Sequence, residues 1–146
     1  MPMQLDKFTD YALRMLVALA MRAPERATAS AIAQAYRISE HHMAKVASQL
    51  AREGFVISER GRGGGLTLAR DPAQINIGAV VRALKADSPV VACFGSDKSC
   101  VIMPACGLRT PLQRAQEAFF AVLDEYTLAD VTTSRAGLSA LLTPQT

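Results

Sequence analysis

Between Thr28 and Arg70 the hydrophobic period of the chain changes once, from helical spacing to strict alternation, and that order leaves few folds open. The run TASAIAQAYRISEHHMAKVASQLAREG predicts two helices about a tight corner. Thr28 caps Ala29 to Tyr36, Ser39 caps Glu40 to Glu53, and Arg37 and Ile38 make the turn. Ile32, Ala33 and Tyr36 on the first helix face Met43, Val46, Ala47 and Leu50 on the second, and Gly54 ends the pair. The next run, FVISERGRGGGLTLAR, alternates through Phe55, Ile57 and Glu59, breaks at GRGGG and resumes with Leu66 and Leu68, which predicts a β-hairpin. A helical pair followed at once by a hairpin is the order of a winged helix-turn-helix. Its second helix lies in a major groove, and its hairpin forms the wing.

The bland alternative is an ordinary helical hairpin followed by a glycine-rich turn with solvated arginines. Charge weighs against it. Residues 1–70 carry ten Lys or Arg against six Asp or Glu, a balance of +4 in a chain whose net charge is +3, so the basic half is the one to examine for a polyanion partner. On the second helix Glu40, His41, His42, Lys45, Ser48 and Gln49 form the polar set. Arg60 and Arg62 flank the wing tip, where arginine suits a narrow, electronegative minor groove, and the glycines let the backbone approach a partner closely. The candidate contacts to double-stranded DNA are Thr28, Ser39, His41, His42, Lys45, Gln49, Arg60, Arg62 and Gly63. GRGGG is no phosphate loop, because no strand-to-helix transition and no Gly-Lys-Ser/Thr accompanies it.

Upstream, Phe8, Tyr11, Ala12, Met15, Leu16 and Leu19 recur at spacings of three and four, which predicts a helix with Thr9 as N-cap and Pro24 closing it. Asp10 falls in its first turn, where a carboxylate complements the helix dipole. Downstream, INIGAVVRALKAD predicts a short helix with Ile77, Val80, Val81 and Leu84 inward. From Leu108 on, Leu112, Ala115, Phe119, Val122 and Tyr126 alternate at four and three, the seam of a dimer helix or a long core helix. A small chain offers that seam few internal partners, so self-association is favoured. Leu138, Leu141 and Leu142 mark a last short helix before a polar tail.

All three cysteines lie between these helices, spaced C-x6-C-x5-C in VACFGSDKSCVIMPAC. Gly95, Ser96, Asp97 and Pro104 keep the segment off a single helix face or strand, so the thiols converge only if the loop wraps around something. A disulfide suits neither the odd count nor the charged N-terminus MPMQLDKFTD, which lacks a secretory apolar region and points to the cytoplasm. Zinc prefers close ligand pairs, and His41 and His42 lie far upstream. An iron-sulfur cluster tolerates wide spacing and a non-cysteine ligand, and is favoured over another metal or plain structural or redox cysteines. At 146 residues and 50% hydrophobic the chain can build one core plus an appendage. No stretch reaches the run of about 18 apolar residues that a membrane span requires.

The winged helix, the three-cysteine loop and the long helix together resemble the bacterial winged-helix repressors that include the iron-sulfur regulator IscR and the nitric oxide sensor NsrR. The resemblance covers nearly the whole chain. It is carried by QLDKFTDYALR, HHMAKVASQL, ERGRGGGLTLAR, MPACGL and LDEYTLADV, which look like the nitric-oxide-sensing branch. It implies a mainly α fold with a small β-hairpin wing, divided into a DNA-binding domain (1–87), a cluster-binding loop (88–107) and a dimerisation helix with C-terminal segment (108–146). It implies a homodimer that represses transcription while an iron-sulfur cluster is intact, and releases operator DNA when nitric oxide reacts with the cluster or the cluster is lost. It implies that Cys93, Cys100 and Cys106 are the cluster ligands, and that Asp10, in the KFTD run, coordinates the cluster of the other subunit. The gap from Cys93 to Cys100 is slightly longer than usual in the family, which bears on cluster type; 4Fe-4S is expected ahead of 2Fe-2S.

Two rival readings remain. A regulator of the same family could answer to cluster or redox state without being tuned to nitric oxide. A thiol or iron-sulfur oxidoreductase would also cluster its cysteines, yet there is no CxxC pair, no dinucleotide fingerprint and no histidine near the thiols to act as base, so no enzyme is expected.

Overall fold

The computed structural model describes residues 5–85 and 91–142. Among them, helices α1 (Lys7–Arg22), α2 (Ala29–Tyr36) and α3 (Glu40–Arg52) lead into the hairpin β1 (Val56–Glu59) and β2 (Gly65–Leu68). Helices α4 (Ile77–Leu84), α5 (Arg109–Leu123) and α6 (Arg135–Leu142) complete the chain, which is mainly α with one two-stranded sheet. No helix among the described residues is long and apolar enough to cross a membrane. The predicted boundary at 87/88, the last two residues of the INIGAVVRALKAD run and the polar tail lie outside the described residues.

α1 starts earlier than the sequence reading placed it. Asp6 is the N-cap, accepting from the Thr9 N–H and hydroxyl at 3.0 Å each, while Thr9 itself is fully buried. Either residue satisfies a capping pattern; Asp6 wins because the cap's oxygen must reach an N–H two or three residues on, and Thr9 already lies inside the first turn. Lys85 at the end of α4 sits 2.9 Å from Asp6. Burial works to raise the Asp6 pKa, but the bonds from Lys85 and Thr9 outweigh it and hold the carboxyl below its ordinary range.

The corner between α2 and α3 follows the predicted caps. Thr28 accepts from the Ala31 N–H and Ser39 from the His42 N–H. Arg37 takes a left-handed conformation, φ 60°, and the Ile38 N–H returns to the Ala33 carbonyl at 3.0 Å, closing α2. Met15, Leu16 and Leu19 of α1, Ile32 of α2, and Met43, Val46 and Leu50 of α3 are buried together with Val80 and Val81 of α4. Each such side chain contributes about 1.5–3 kcal/mol by leaving water.

The hairpin differs from the sequence reading by one residue. Gly54 takes φ 83° and the Phe55 N–H bonds to the Leu50 carbonyl at 2.9 Å, which tucks Phe55 under α3 and delays the strand. Val56, not Ile57, therefore faces inward: it is 3% exposed, against 48% for Ile57. Val56 pairs with Leu68 and Ser58 with Leu66. Ala27, ahead of α2, adds to the other edge by bonding both ways with Leu66, at 3.1 and 2.8 Å.

α5 runs from Arg109 with Leu108 as its N-cap, and Tyr126 lies in the turn beyond it. It meets its own chain near its C-terminal end, at α4. Gly78 lies so close that a Cβ there would fall 2.7 Å from the Asp124 Cα. Asn76 donates to the Asp124 carbonyl at 2.7 Å, Arg82 bonds the Asp124 carboxylate at 2.8 Å, and the Arg82 guanidinium lies 4.8 Å over the Phe120 ring. Phe120, Leu128 of the following turn and Leu142 of α6 join the core. The predicted seam stays outside: Leu108, Phe119, Val122 and Tyr126 are exposed.

Candidate functional site

Two groups of predicted residues occupy different faces. The first is the winged-helix face. His41, His42 and Lys45 lie exposed along α3, with Thr28 and Ser39 exposed at the N-termini of α2 and α3. α3 buries Met43, Val46, Ala47 and Leu50 on its other side, and this fixes the polar stripe outward. His42 is also tied inward, its ring 6.1 Å from that of Tyr11 on α1. Gln49 is half-buried and bonds along its own helix, donating to Glu53 and accepting from Arg52 at 3.0 Å each. Between α3 and the wing runs an open groove of ≈ 560 Å³, with Thr28, Ala44 and Ser48 on one wall and Ser58, Glu59 and Gly61 on the other.

Arg60 and Arg62 are exposed at the wing tip. Gly61, Gly63 and Gly65 take φ of 91°, 71° and 144°, and a Cβ on Gly64 would lie 2.5 Å from the Glu59 carbonyl oxygen, so the tip requires glycine at several positions. Arg26, from the α1–α2 connection, donates to the Gly63 carbonyl and pairs with Glu59, both at 2.6 Å. The sequence reading passed over Arg26 and Ala27, since nothing in the local run APERA reports a contact 37 residues away.

The second group is the thiol loop. Two 3-10 turns, Ala92–Phe94 and Met103–Ala105, bracket its irregular middle. All three cysteines are free; Cys93 and Cys106 are half-buried and Cys100 is exposed. Asp97 accepts from the Ser99 hydroxyl and N–H, and these bonds hold its carboxyl below the ordinary range. Lys98 donates to the Cys93 carbonyl at 2.6 Å, and Arg109, at the start of α5, lies 5.7 Å from the centre of the Phe94 ring. Among the described residues no three His, Cys, Asp or Glu side chains are gathered closely enough to hold a metal ion. The donors nonetheless fit an iron-sulfur cluster by type, being three soft, unpaired thiols on one accessible loop, and that loop would have to tighten to bring them together.

Asp10 stands apart from the thiol loop's own bonds, paired within its helix. It lies on α1 and binds Arg14 through both carboxylate oxygens, at 3.1 and 3.0 Å. The same guanidinium lies 5.4 Å from the Tyr11 ring and 5.8 Å from the Tyr36 ring. Asp10 and Arg14 are each about 40% exposed as side chains, at 40% and 42%, so the pair is open to exchange.

Comparison with known proteins agrees with this geometry. Residues 5–134 match the Rrf2 family, described as an iron-dependent transcriptional regulator. The chain is 46% identical to the HTH-type transcriptional regulator NsrR of Geobacillus kaustophilus and 45% identical to that of Bacillus subtilis, in both cases over 96% of this chain and 97% of the relative. Its fold superposes on that of CymR, the global cysteine regulator of B. subtilis, with a TM-score of 0.69 at 27% identity, covering 91% of this chain and 98% of that one.

Proposed function

The chain belongs to the Rrf2 family of iron-dependent transcriptional regulators, and from that premise we propose that it is a homodimeric repressor that releases operator DNA in response to nitric oxide. Its relatives are named transcriptional regulators, and it is a regulator rather than an enzyme. The observation that carries the sensing role is the loop of three free thiols set on the same chain as a winged helix. Cys93, Cys100 and Cys106 hold an iron-sulfur cluster, 4Fe-4S in preference to 2Fe-2S. Asp10 of the partner subunit is its fourth ligand, which requires Asp10 to give up Arg14. A bound cluster supplies iron at which nitric oxide can add, and a hard carboxylate leaves one iron less firmly held than thiolates do.

In the DNA complex His41, His42, Lys45 and Gln49 face the major groove, Thr28 and Ser39 the flanking phosphates, and Arg60, Arg62 and Gly63 the minor groove. The exposed seam of α5 supplies the dimer interface. The functional division is then 1–87 for DNA, 88–107 for the cluster and 108–146 for dimerisation. Ligation across the dimer ties the DNA-binding lobe of one subunit to the thiol loop of the other, so that cluster loss frees the spacing of the two recognition helices.

The family's description as iron-dependent favours a second reading, in which cluster or redox state rather than nitric oxide is the signal. Mutants test the site itself. Anaerobically purified Cys93→Ala, Cys100→Ala and Cys106→Ala proteins are expected to lose visible absorption, and full iron and sulfide in all three would reject the assignment. Asp10→Ala is expected to keep iron but alter its spectrum or its rate of reaction with nitric oxide. A mixed dimer, one subunit Asp10→Ala and the other lacking all three cysteines, should regain wild-type behaviour if ligation crosses the dimer. Behaviour like the Asp10→Ala homodimer would place Asp10 outside cross-subunit ligation.

A further inference from the structure

On the DNA-binding reading above, we propose that Arg26 is a positioning residue that clamps the wing, so that Arg60 and Arg62 reach the duplex in a fixed orientation. The tip has little of its own to hold it. Strand pairing stops at Glu59↔Gly65, the Gly64 N–H closes the turn on the Gly61 carbonyl at 2.9 Å, and a run of glycines resists ordering more than other residues do. Arg26 comes from outside the hairpin and spans it. One Nη donates to the Gly63 carbonyl at 2.6 Å while the other lies 2.6 Å from the Glu59 carboxylate. Its neighbour Ala27 sets the distance by bonding both ways with Leu66, and Gly65 passes so close that a Cβ there would lie 3.1 Å from the Ala27 carbonyl oxygen.

Arg26 and Glu59 are both exposed, so their ion pair adds little to global stability; what it fixes is the direction of the tip. A planar guanidinium fork can hold two acceptors at once, whereas an ammonium acts as a point charge.

A double-mutant cycle tests the clamp. Full-length, anaerobically purified protein is titrated with a duplex of about 30 base pairs that the wild-type protein has selected from a random-sequence pool. Arg26→Ala is expected to weaken binding about tenfold in the wild-type background and to have almost no effect in an Arg60→Ala/Arg62→Ala background, where nothing is left to position. Equal losses in both backgrounds would overturn the proposal, since Arg26 would then touch DNA itself or support the whole fold. Arg26→Lys keeps the cation without the fork and should behave like Arg26→Ala; wild-type affinity for it would also overturn the clamp. A DNA-free measurement separates this proposal from the functional reading on which it rests. Amide exchange at Gly64 and Leu66 should quicken in Arg26→Ala while the amides of α1 keep their rates, and unchanged exchange at the wing would overturn the clamp. If the wild-type protein selects no duplex, the DNA-binding reading fails, and the exchange result alone decides whether Arg26 holds the wing.

Discussion

Tyr36 shows how one side chain joins two elements and reports on both. Its hydroxyl donates to the Arg14 carbonyl at 2.7 Å, tying the end of α2 to the middle of α1. Burial pushes the phenol up to about 12, against the pull of the Arg14 charge and with a small push from Asp10. The folded pKa is raised, so the stability it represents is fully present below the unfolded value of 10 and is lost as pH rises toward 12. Urea unfolding across that window should show a decline of about 2 kcal/mol that Tyr36→Phe removes; an identical decline in the variant would assign it to other groups. Gly78 invites a second test, because a Cβ there would lie 2.7 Å from both the Asp124 N and Cα, and backbone cannot swing aside. Gly78→Ala should cost about 2–4 kcal/mol in the same assay despite the better helix propensity of alanine. At this scale caps were legible and distant partners were not. Thr28 and Ser39 cap as read, but the start of α1 holds two residues of capping type, Asp6 and Thr9, and the bond from the Thr9 N–H to the Asp6 carboxylate shows which of them is the cap. Arg14 stands at i+4 from Asp10, the spacing of a helical ion pair, but spacing alone does not say that it takes both carboxylate oxygens.

Among the elements, α5 carries the clearest ambiguity. It has two apolar stripes, and periodicity cannot say which of them its own chain covers. Phe120 packs on α4 beneath Arg82, while Phe119 one residue earlier is 40% exposed and Val122 54%. That division supports the outer stripe as the surface that meets a second copy. Phe119→Glu should give monomers in sedimentation with the helix content unchanged; an intact dimer would move the interface elsewhere. The hairpin was legible as a hairpin, but its facing was not. Alternation from Phe55 does not foresee that Gly54 and Phe55 are consumed in ending α3, so that Phe55 and Val56 are buried in succession and Ile57 is left outside. The thiol loop follows no period, and the sequence names three candidate donors without saying whether they converge.

Across the whole molecule, residues far apart in the chain share one core: Leu128 and Leu142 are buried with Met15 and Leu19, and α6 returns to α1. Helix α3, the proposed recognition helix, packs directly on α1, which also bears Asp10, so one element links the proposed DNA-facing surface to a candidate cluster ligand. If Asp10 of the partner subunit holds the cluster, each thiol loop is coupled to the opposite reading head, and binding of cluster and of operator reinforce each other reciprocally. The most direct test follows both in one sample. Anaerobically purified protein on its selected duplex is titrated with nitric oxide while visible absorption and fluorescence anisotropy are recorded together. The account predicts that the visible absorption changes and the duplex is released at the same nitric oxide stoichiometry. A full spectral change with the duplex still bound at unchanged affinity would contradict it.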